Sequence, residues 1–418
     1  MEALDSNPPI YPATRFAVIS DMHLYDNDLG TEGEAWQEYL SQDRKLVEES
    51  EEILDAAIMR ITSEDVDFIL VCGDMTKDGE LICHQMAAEY LDELEAKGKP
   101  VYVIPGNHDV FNADAERYIG DKTEPVDNIS PDKFRGIYSE FGYGDAKDMD
   151  KDPGSLSYVF EPVVGLWILA LDSCTYGDEA AKPITEGAIR QETINWLQEV
   201  LDRSVREEKA VIAMMHHQLM VHYPAQGKEF PENIVKNAEE IAHLLAQYHV
   251  HLVFTGHDHA QDITAATWES GEDFLFDIGT GSLVTYPSPY RVVEITGDQQ
   301  CNLTSRFIDS TSGHPEDFDD YVREVSAERI TEVAVNRLRD YLVSEKSARI
   351  IAPQFTRAFL AHYIGDEPAP GELLNTDGIS LWAKIITSMK KKVYYGLWQD
   401  LDPPDNFLTI DLKTGQWK

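Results

Sequence analysis

Six short apolar segments recur along the first 260 residues, and most of them end in a polar cluster; this recurrence restricts the fold more than any other feature. The segments are rich in β-forming residues and bounded by Gly, Pro, Asp or His, which predicts buried strands. They cover residues 16–19, 68–72, 101–104, 166–171, 211–215 and 252–254. Segments with apolar residues at helical spacing lie between them, at 46–61, 87–97, 193–203 and 238–248. Strands that alternate with helices predict an α/β fold with parallel strands.

Polar clusters follow five of the six predicted strands directly. They are Asp21-Met22-His23, Gly73-Asp74, Gly106-Asn107-His108-Asp109, His216-His217 and Gly256-His257-Asp258-His259. Because ligands of open parallel sheets bind beyond the carboxyl ends of the strands, we expect these side chains to meet at one edge. The D-x-H and H-x-H spacings fit this arrangement, since residues i and i+2 of an extended chain point the same way.

The residue types in these clusters suit a pair of metal ions. Carboxylate, imidazole and amide oxygen are ligands of Mn, Fe or Zn, and no thiolate accompanies them. Two ions about 3.5–4 Å apart need a shared ligand, which a carboxylate can be. A hydroxide that bridges two such ions is a nucleophile at neutral pH, because metal binding lowers the pKa of water from 15.7 to about 7.

The ordered set D-x-H, G-D, G-N-H-D, H and G-H-x-H resembles the signature of calcineurin-like metallophosphoesterases over about residues 15–295. Within that superfamily the resemblance is closest to bacterial class III cyclic nucleotide phosphodiesterases. It implies a four-layer αββα sandwich with two transition metal ions. One ion would be held by Asp21, His23, Asp74 and His259, and the other by Asp74, Asn107, His216 and His257.

The resemblance also implies that His108 is a general acid beside the metals. Its imidazole would donate a proton to the leaving alkoxide. Either Asp109 or Asp78 could orient this ring through a carboxylate–imidazole hydrogen bond. Each of these two residues could equally be a turn or capping carboxylate.

Three further residues are candidates for contact with the substrate. His217 adjoins a predicted ligand, and a role as a hydrogen-bonded loop histidine is an equal alternative. Tyr286 and Tyr290 could stack on a nucleobase, although packing within their own loop is the favoured interpretation.

The composition changes near residue 306, and we predict two domains. Residues 12–309 would form the metallophosphoesterase catalytic domain, and residues 310–418 a small α-helical C-terminal domain. The helical segment is expected to carry no metal ligand and is a candidate surface for homo-oligomer formation.

The formal net charge of −41 argues against long nucleic acids as partners, because the surface repels polyanions. A small phosphodiester held by metal cations remains compatible with this charge. We therefore expect hydrolysis of small phosphodiesters, with 3′,5′- or 2′,3′-cyclic nucleotides as the substrates. The alternatives are a broad-specificity phosphomonoesterase and a non-catalytic interaction module on the same fold.

The sequence contains no apolar run long enough to span a bilayer, and its start shows no basic region followed by an apolar stretch. We expect a cytoplasmic protein if the chain is complete and an extracytoplasmic one if a leader has been removed. Four scattered cysteines without CxxC spacing predict buried thiols rather than a disulfide framework.

Overall fold

The computed structural model of the protein describes residues 8–144, 150–177, 183–268, 273–368 and 371–418. The strands of these residues are β1 (Thr14–Ile19), β2 (Phe68–Val71), β3 (Val101–Val103), β4 (Glu116–Ile119), β5 (Lys122–Pro125), β6 (Tyr158–Val163), β7 (Leu166–Leu171), β8 (Ala210–Met215), β9 (Leu252–Thr255), β10 (Asp262–Thr267), β11 (Phe274–Gly279), β12 (Pro289–Ile295), β13 (Gln300–Phe307) and β14 (Phe407–Asp411). The helices are α1 (Glu34–Leu40), α2 (Ser50–Ser63), α3 (Leu81–Ala96), α4 (Pro131–Ile137), α5 (Gln191–Arg206), α6 (Gln226–Glu229), α7 (Ala238–Gln247), α8 (Phe318–Asp340), α9 (Glu345–Ile364) and α10 (Leu381–Gly396).

Two six-stranded sheets form the centre of the molecule. The first has the order β14-β13-β12-β1-β2-β3, in which β1, β2 and β3 are parallel and the other neighbours are antiparallel. The second has the order β10-β11-β9-β8-β7-β6, with β11, β9, β8 and β7 parallel. The sequence predicted a single sheet with the polar clusters at one edge. Hydrophobic periodicity does not reveal which sheet a strand joins, and the structure has two. The two mixed sheets agree instead with the αββα sandwich that the resemblance implied.

The sheets are stacked with helices outside them. Met214 of β8 belongs to the core that both sheets share, and its neighbour Met215 belongs to the core beneath α5 and α7. This alternation follows from the strand geometry, since successive side chains point to opposite faces. The rings of Phe16 and Phe254 meet edge to face across the two sheets, with centroids 5.4 Å apart.

The helices lie where their spacing predicted them, but their ends differ. We expected a helix from residue 46, whereas α2 begins at Ser50. The backbone N–H of Leu46 donates to the carbonyl of Val284 instead, at 2.7 Å, so that residues 41–49 form a loop between α1 and α2.

The C-terminal segment is mainly helical, as predicted: its described residues form three helices, and also one strand that was not predicted. Phe318, Val322 and Ile330 of α8 are buried in the core that the two sheets share. The last strand, β14, pairs with β13 at the edge of the first sheet. The boundary between residues 309 and 310 stays a prediction. None of the helices in the described parts of the chain is long and apolar enough to cross a membrane.

Candidate metal centre

The polar clusters that follow β1, β2, β3, β8 and β9 come together, although these strands belong to two sheets. Backbone hydrogen bonds tie their loops to one another. The N–H of Asp21 donates to Gly73 at 3.1 Å, and the N–H of His23 donates to Asp74 at 3.0 Å. The N–H of Gly256 donates to the carbonyl of His216 at 2.9 Å. Main-chain hydrogen bonds therefore tie the loop after β1 to the loop after β2, and the loop after β9 to the loop after β8.

Asp21, His23 and His259 form the first group of converging side chains. Nε2 of His23 and Nε2 of His259 lie 3.2 Å apart. Oδ1 of Asp21 lies 3.4 Å from the same nitrogen of His259 and 3.7 Å from that of His23. All three side chains are buried.

Asp74, Asn107, His216 and His257 form the second group. Nε2 of His216 lies 3.2 Å from Oδ2 of Asp74, from Oδ1 of Asn107 and from Nδ1 of His257. Nδ1 of His216 faces the carbonyl of Cys72 at 2.8 Å and donates to it. The lone pair of Nε2 is therefore directed at the other three ligand-type atoms.

One carboxylate oxygen joins the two groups. Oδ2 of Asp74 lies 3.2 Å from Nε2 of His216 and 3.7 Å from Nε2 of His23. The other oxygen, Oδ1, accepts the backbone N–H of His108 at 2.9 Å, which fixes the orientation of the carboxylate.

These spacings fit metal coordination. Two atoms bound to one ion by bonds of about 2.0–2.1 Å lie at most about 4.2 Å apart, and the facing atoms of the first group lie 3.2–3.7 Å apart. Oδ1 of Asp21 is also buried without a hydrogen-bond partner among the described residues. Such an atom costs about 1–3 kcal/mol unless something pairs with it, and a cation between these groups would do so.

The backbone at the site differs from the expectation. Five residues of the two groups, all Asp or His, have left-handed φ angles between 40° and 71°: Asp21, His23, Asp74, His257 and His259. The D-x-H and H-x-H pairs therefore do not lie on extended chain. The argument that residues i and i+2 of an extended chain point the same way was wrong for these pairs. Non-glycine residues with such angles cluster at functional sites, where the surrounding structure holds them.

Two glycines make these turns feasible. A Cβ atom on Gly106 would lie 2.1 Å from Oδ1 of Asp74, and one on Gly73 would lie 2.5 Å from Nδ1 of His216. Gly73 also has a φ of 91°, which other residues rarely adopt. Larger residues at either position would displace the converging side chains.

Burial keeps most of the histidine rings in the two groups neutral. Burial lowers the pKa of His23, His257 and His259. Burial alone would lower the pKa of His216, but the carboxylate of Asp74 raises this pKa to about 9. Neutral imidazole and ionised carboxylate are the forms that bind metal ions, so that metal binding here would compete with protons at His216.

His108 lies beside the two groups and reaches the solvent. Its side chain is 27% exposed, and its Nδ1 lies 2.9 Å from Oδ1 of Asp78. A ring nitrogen is also within 4.8 Å of ligand atoms of His23 and Asp74. Burial acts to lower the pKa of His108, but the negative charges of Asp74 and Asp78 raise this pKa above its ordinary value. Asp78 is itself held by the buried ammonium group of Lys77.

Asp109 occupies a different position from Asp78. Its carboxylate accepts the backbone N–H groups of Gly106 at 2.8 Å, Thr76 at 3.0 Å and Met75 at 3.2 Å. Burial and the nearby charge of Asp74 raise the pKa of Asp109 to about 7. Of the two candidates, Asp78 makes the hydrogen bond to His108, and Asp109 joins the loops that follow β2 and β3.

The three candidate substrate-binding residues lie apart from the open part of the site. His217 is fully buried, with Nδ1 facing the hydroxyl of Ser173 and Nε2 facing the carbonyl of Thr185, each at 2.8 Å. Tyr286 and Tyr290 pack into the main core, at 8% and 3% exposure. None of the three lines the cavity over the metal-ligand groups, and this placement favours the packing interpretation.

A cavity of about 1160 Å³ opens over the two groups. Its floor contains Asp74, Asn107, His108, His257 and His259. The C-terminal helices α8, α9 and α10 form much of its wall, with apolar and aromatic side chains: Ile330, Val333, Leu338, Phe355, Phe359, Tyr363 and Val393. Arg44 and Lys45 of the loop before α2 also line it. The segment beyond residue 310 therefore shapes the entrance to the site.

Sequence reasoning missed the anchoring of Asp258. This residue stands between two predicted ligands, and its carboxylate accepts hydrogen bonds from Gln226, at 2.9 Å, and from Asn233. It also lies 3.7 Å from Nε2 of His362 on α9. The turn that carries His257 and His259 is thus fastened to the C-terminal helices. No local motif signals this contact, because the partners are far apart in the chain.

Comparisons with known proteins identify a family and several similar proteins. The family model for calcineurin-like phosphoesterases matches residues 14–261. The 3′,5′-cyclic adenosine monophosphate phosphodiesterase CpdA of Haemophilus influenzae is 22% identical over 245 residues, which cover 56% of this chain and 73% of that protein. Similar solved structures include a dimetal phosphatase from Danio rerio, at 18% identity and a TM-score of 0.49, covering 72% of this chain and 97% of that one. They also include a purple acid phosphatase from yellow lupin, at 13% identity and a TM-score of 0.41, covering 73% and 54%. The chain belongs to the calcineurin-like phosphoesterase family and is a hydrolase of phosphate esters.

Proposed function

We propose that this protein hydrolyses small phosphodiesters, with cyclic nucleotides as the substrate class. Asp21, His23, Asp74 and His259 would hold one metal ion. The second ion would be held by Asp74, Asn107, His216 and His257. The observation that carries this proposal is the position of Oδ2 of Asp74, which lies within 3.7 Å of a histidine nitrogen from each group on the floor of the cavity.

The donor set supports Mn, Fe or Zn as the bound ions. Five of the seven proposed ligands have left-handed backbone angles that orient them into the site. All seven offer nitrogen or oxygen, and the four cysteines of the chain are buried elsewhere as free thiols. Nitrogen and oxygen donors of this kind suit these three metals. When bound, the two ions would activate a water molecule and offset negative charge on the phosphoryl oxygens.

His108 is the proposed general acid. Its Nδ1 faces Asp78, so that Nε2 is left to meet the substrate in the cavity. Asp74 and Asp78 favour the protonated ring, which is the form that can donate a proton. Proton donation to an alkoxide leaving group contributes about 10²–10⁴-fold to the rate. Asp78 orients the ring in this scheme, and Asp109 supports the loops beneath it.

The substrate class is proposed from the cavity and from one relative. A cavity of about 1160 Å³ with aromatic walls suits a small organic phosphate. The net charge of −41 disfavours a long polyanion. The relative from Haemophilus influenzae is named as a cyclic AMP phosphodiesterase.

A substrate panel tests this proposal. The protein is stripped of metal, reloaded separately with Mn, Fe or Zn, and assayed with 3′,5′-cyclic AMP, 2′,3′-cyclic AMP and 5′-AMP. We expect metal-dependent hydrolysis of at least one cyclic nucleotide, with a kcat/KM above that for 5′-AMP. Faster hydrolysis of 5′-AMP would identify a phosphomonoesterase instead, and no hydrolysis by fully loaded protein would refute the proposal.

A further inference from the structure

The loop of residues 41–49 carries two consecutive cations, Arg44 and Lys45, to the edge of the cavity. Nothing in the metal-ligand motifs involves this loop, which lies between α1 and α2. Both side chains line the same cavity as Asp74, His108 and His259. The loop therefore brings positive charge next to the place where a phosphate ester would bind.

Arg44 makes no ion pair within 4 Å among the described residues, although the charges of Asp43, Asp258 and Asp21 act on it from farther away. Its Nε is buried without a hydrogen-bond partner among those residues. Its guanidinium group lies 5.9 Å from the centre of the Tyr363 ring, which limits its movement on one side. A partly buried guanidinium without an acceptor is costly. The guanidinium group lines the cavity, so an anion that enters the cavity can supply the acceptor that the described residues do not.

The positive charges of this loop reach the metal-ligand groups. Arg44 and Lys45 line the same cavity as the proposed ligands Asp74 and His259. Lys45 is 6% exposed, and its Nζ lies 3.2 Å from Asp43. Lys45 is therefore paired with Asp43, whereas Arg44 has no such close pair among the residues that the structure describes.

Helix α8 holds the loop in place. The side chain of Asn336 donates to the carbonyl of Ser41 at 3.0 Å, and Arg329 donates to the carbonyl of Lys45. Arg329 also pairs with Glu48 at 3.1 Å. A loop fastened in this way keeps its charged side chains in position, which lowers the entropy lost when a ligand binds.

We propose that Arg44, with Lys45 beside it, forms an anion subsite that binds the non-bridging oxygens of the substrate's phosphoryl group. The planar guanidinium presents paired N–H donors that match two oxygens of a phosphate. The subsite rests on the proposed function, since it serves the phosphoryl group that the metal centre would attack. It also gives the C-terminal helices a role, because α8 anchors the loop and Tyr363 of α9 packs against the guanidinium.

Binding of inorganic phosphate to the metal-loaded protein tests the subsite without requiring turnover. Affinity is measured by titration calorimetry for wild type, Arg44→Gln and Arg44→Lys. The control is Arg357→Gln, because Arg357 is exposed on α9, pairs with Glu372 at 2.7 Å and does not line the cavity. Metal content and thermal unfolding are recorded for every variant.

We expect Arg44→Gln to bind phosphate about 10–100-fold more weakly, with both metals and the unfolding temperature retained. Arg44→Lys should recover part of the affinity, because it restores the charge without the paired donors. Arg357→Gln should match wild type. Unchanged phosphate affinity in Arg44→Gln would overturn the subsite, and so would loss of metal from that variant or failure of the loaded wild type to bind phosphate.

Failure of the proposed function has a different outcome. If loaded wild type binds phosphate and Arg44→Gln binds it weakly, the subsite stands even when no cyclic nucleotide is hydrolysed. If wild type hydrolyses a cyclic nucleotide while Arg44→Gln keeps its full phosphate affinity, the subsite alone is wrong.

Discussion

Replacing His108 with Gln separates proton transfer from metal binding. The backbone N–H of residue 108 donates to Asp74 at 2.9 Å, and this contact does not depend on the side chain. The imidazole itself contacts Asp78 through one nitrogen and is 27% exposed. A glutamine amide can still donate to Asp78, but it cannot transfer a proton. We therefore expect the variant to fold and to bind two metal ions.

The expected loss depends on the leaving group. For 3′,5′-cyclic AMP, which releases an alkoxide, we expect kcat to fall by about 10²–10⁴-fold. This loss corresponds to a barrier higher by about 2.7–5.5 kcal/mol. For bis(4-nitrophenyl) phosphate the loss should be clearly smaller, because nitrophenolate leaves without protonation. The change in unfolding free energy should stay within about 2 kcal/mol, since one partly exposed hydrogen bond is altered.

The assay compares kcat on both substrates for wild type and His108→Gln, with metal content measured on the same samples. A matched control is His243→Gln, because His243 is exposed on α7 and lies away from the cavity. Equal losses on the two substrates, with metals retained, would refute proton donation and show that His108 positions the phosphate. Loss of metal would show that His108 supports the ligand groups.

Further predictions concern metal binding and stability. Asp74→Asn should lose more metal than His23→Gln in elemental analysis, because Oδ2 of Asp74 faces both groups; two tightly bound ions in Asp74→Asn would contradict the shared-ligand proposal. Chelation should abolish hydrolysis, and adding Mn should restore it; full activity in verified metal-free protein would rule out the metal mechanism. Burial acts to lower the pKa of His222, but the carboxylates of Asp262 and Asp277 raise this pKa to about 10. The ordinary value is about 6.5, so this charge stabilises the fold fully below about pH 6.5 and the stabilisation is lost as pH rises toward 10. The Tm of wild type should therefore fall more between pH 7 and pH 10 than that of His222→Gln, and equal declines would refute this linkage.

The hydrophobic pattern predicted the strands that precede the polar clusters and several of the helices, and it missed the other described strands. The six apolar segments correspond to β1, β2, β3, β7, β8 and β9, and the four amphipathic segments correspond to helices α2, α3, α5 and α7. Buried strands and amphipathic helices leave this local signature because their environment repeats with a fixed period. The division of the strands between two sheets depends on contacts between distant segments, so that no local pattern predicts it. Strand β14 was missed for a similar reason, because its partner β13 is far away in the chain.

By itself, the sequence determined the family and the set of metal-ligand candidates. The ordered motifs place residues of the required chemistry directly after five of the predicted strands, and that information is contained in short stretches of chain. The orientation of His108 by Asp78, the burial of His217, Tyr286 and Tyr290, and the approach of Arg44 to the cavity were decided only by the tertiary structure. Each of these depends on contacts between segments that are distant in sequence, and no periodicity or spacing within one segment records such a contact.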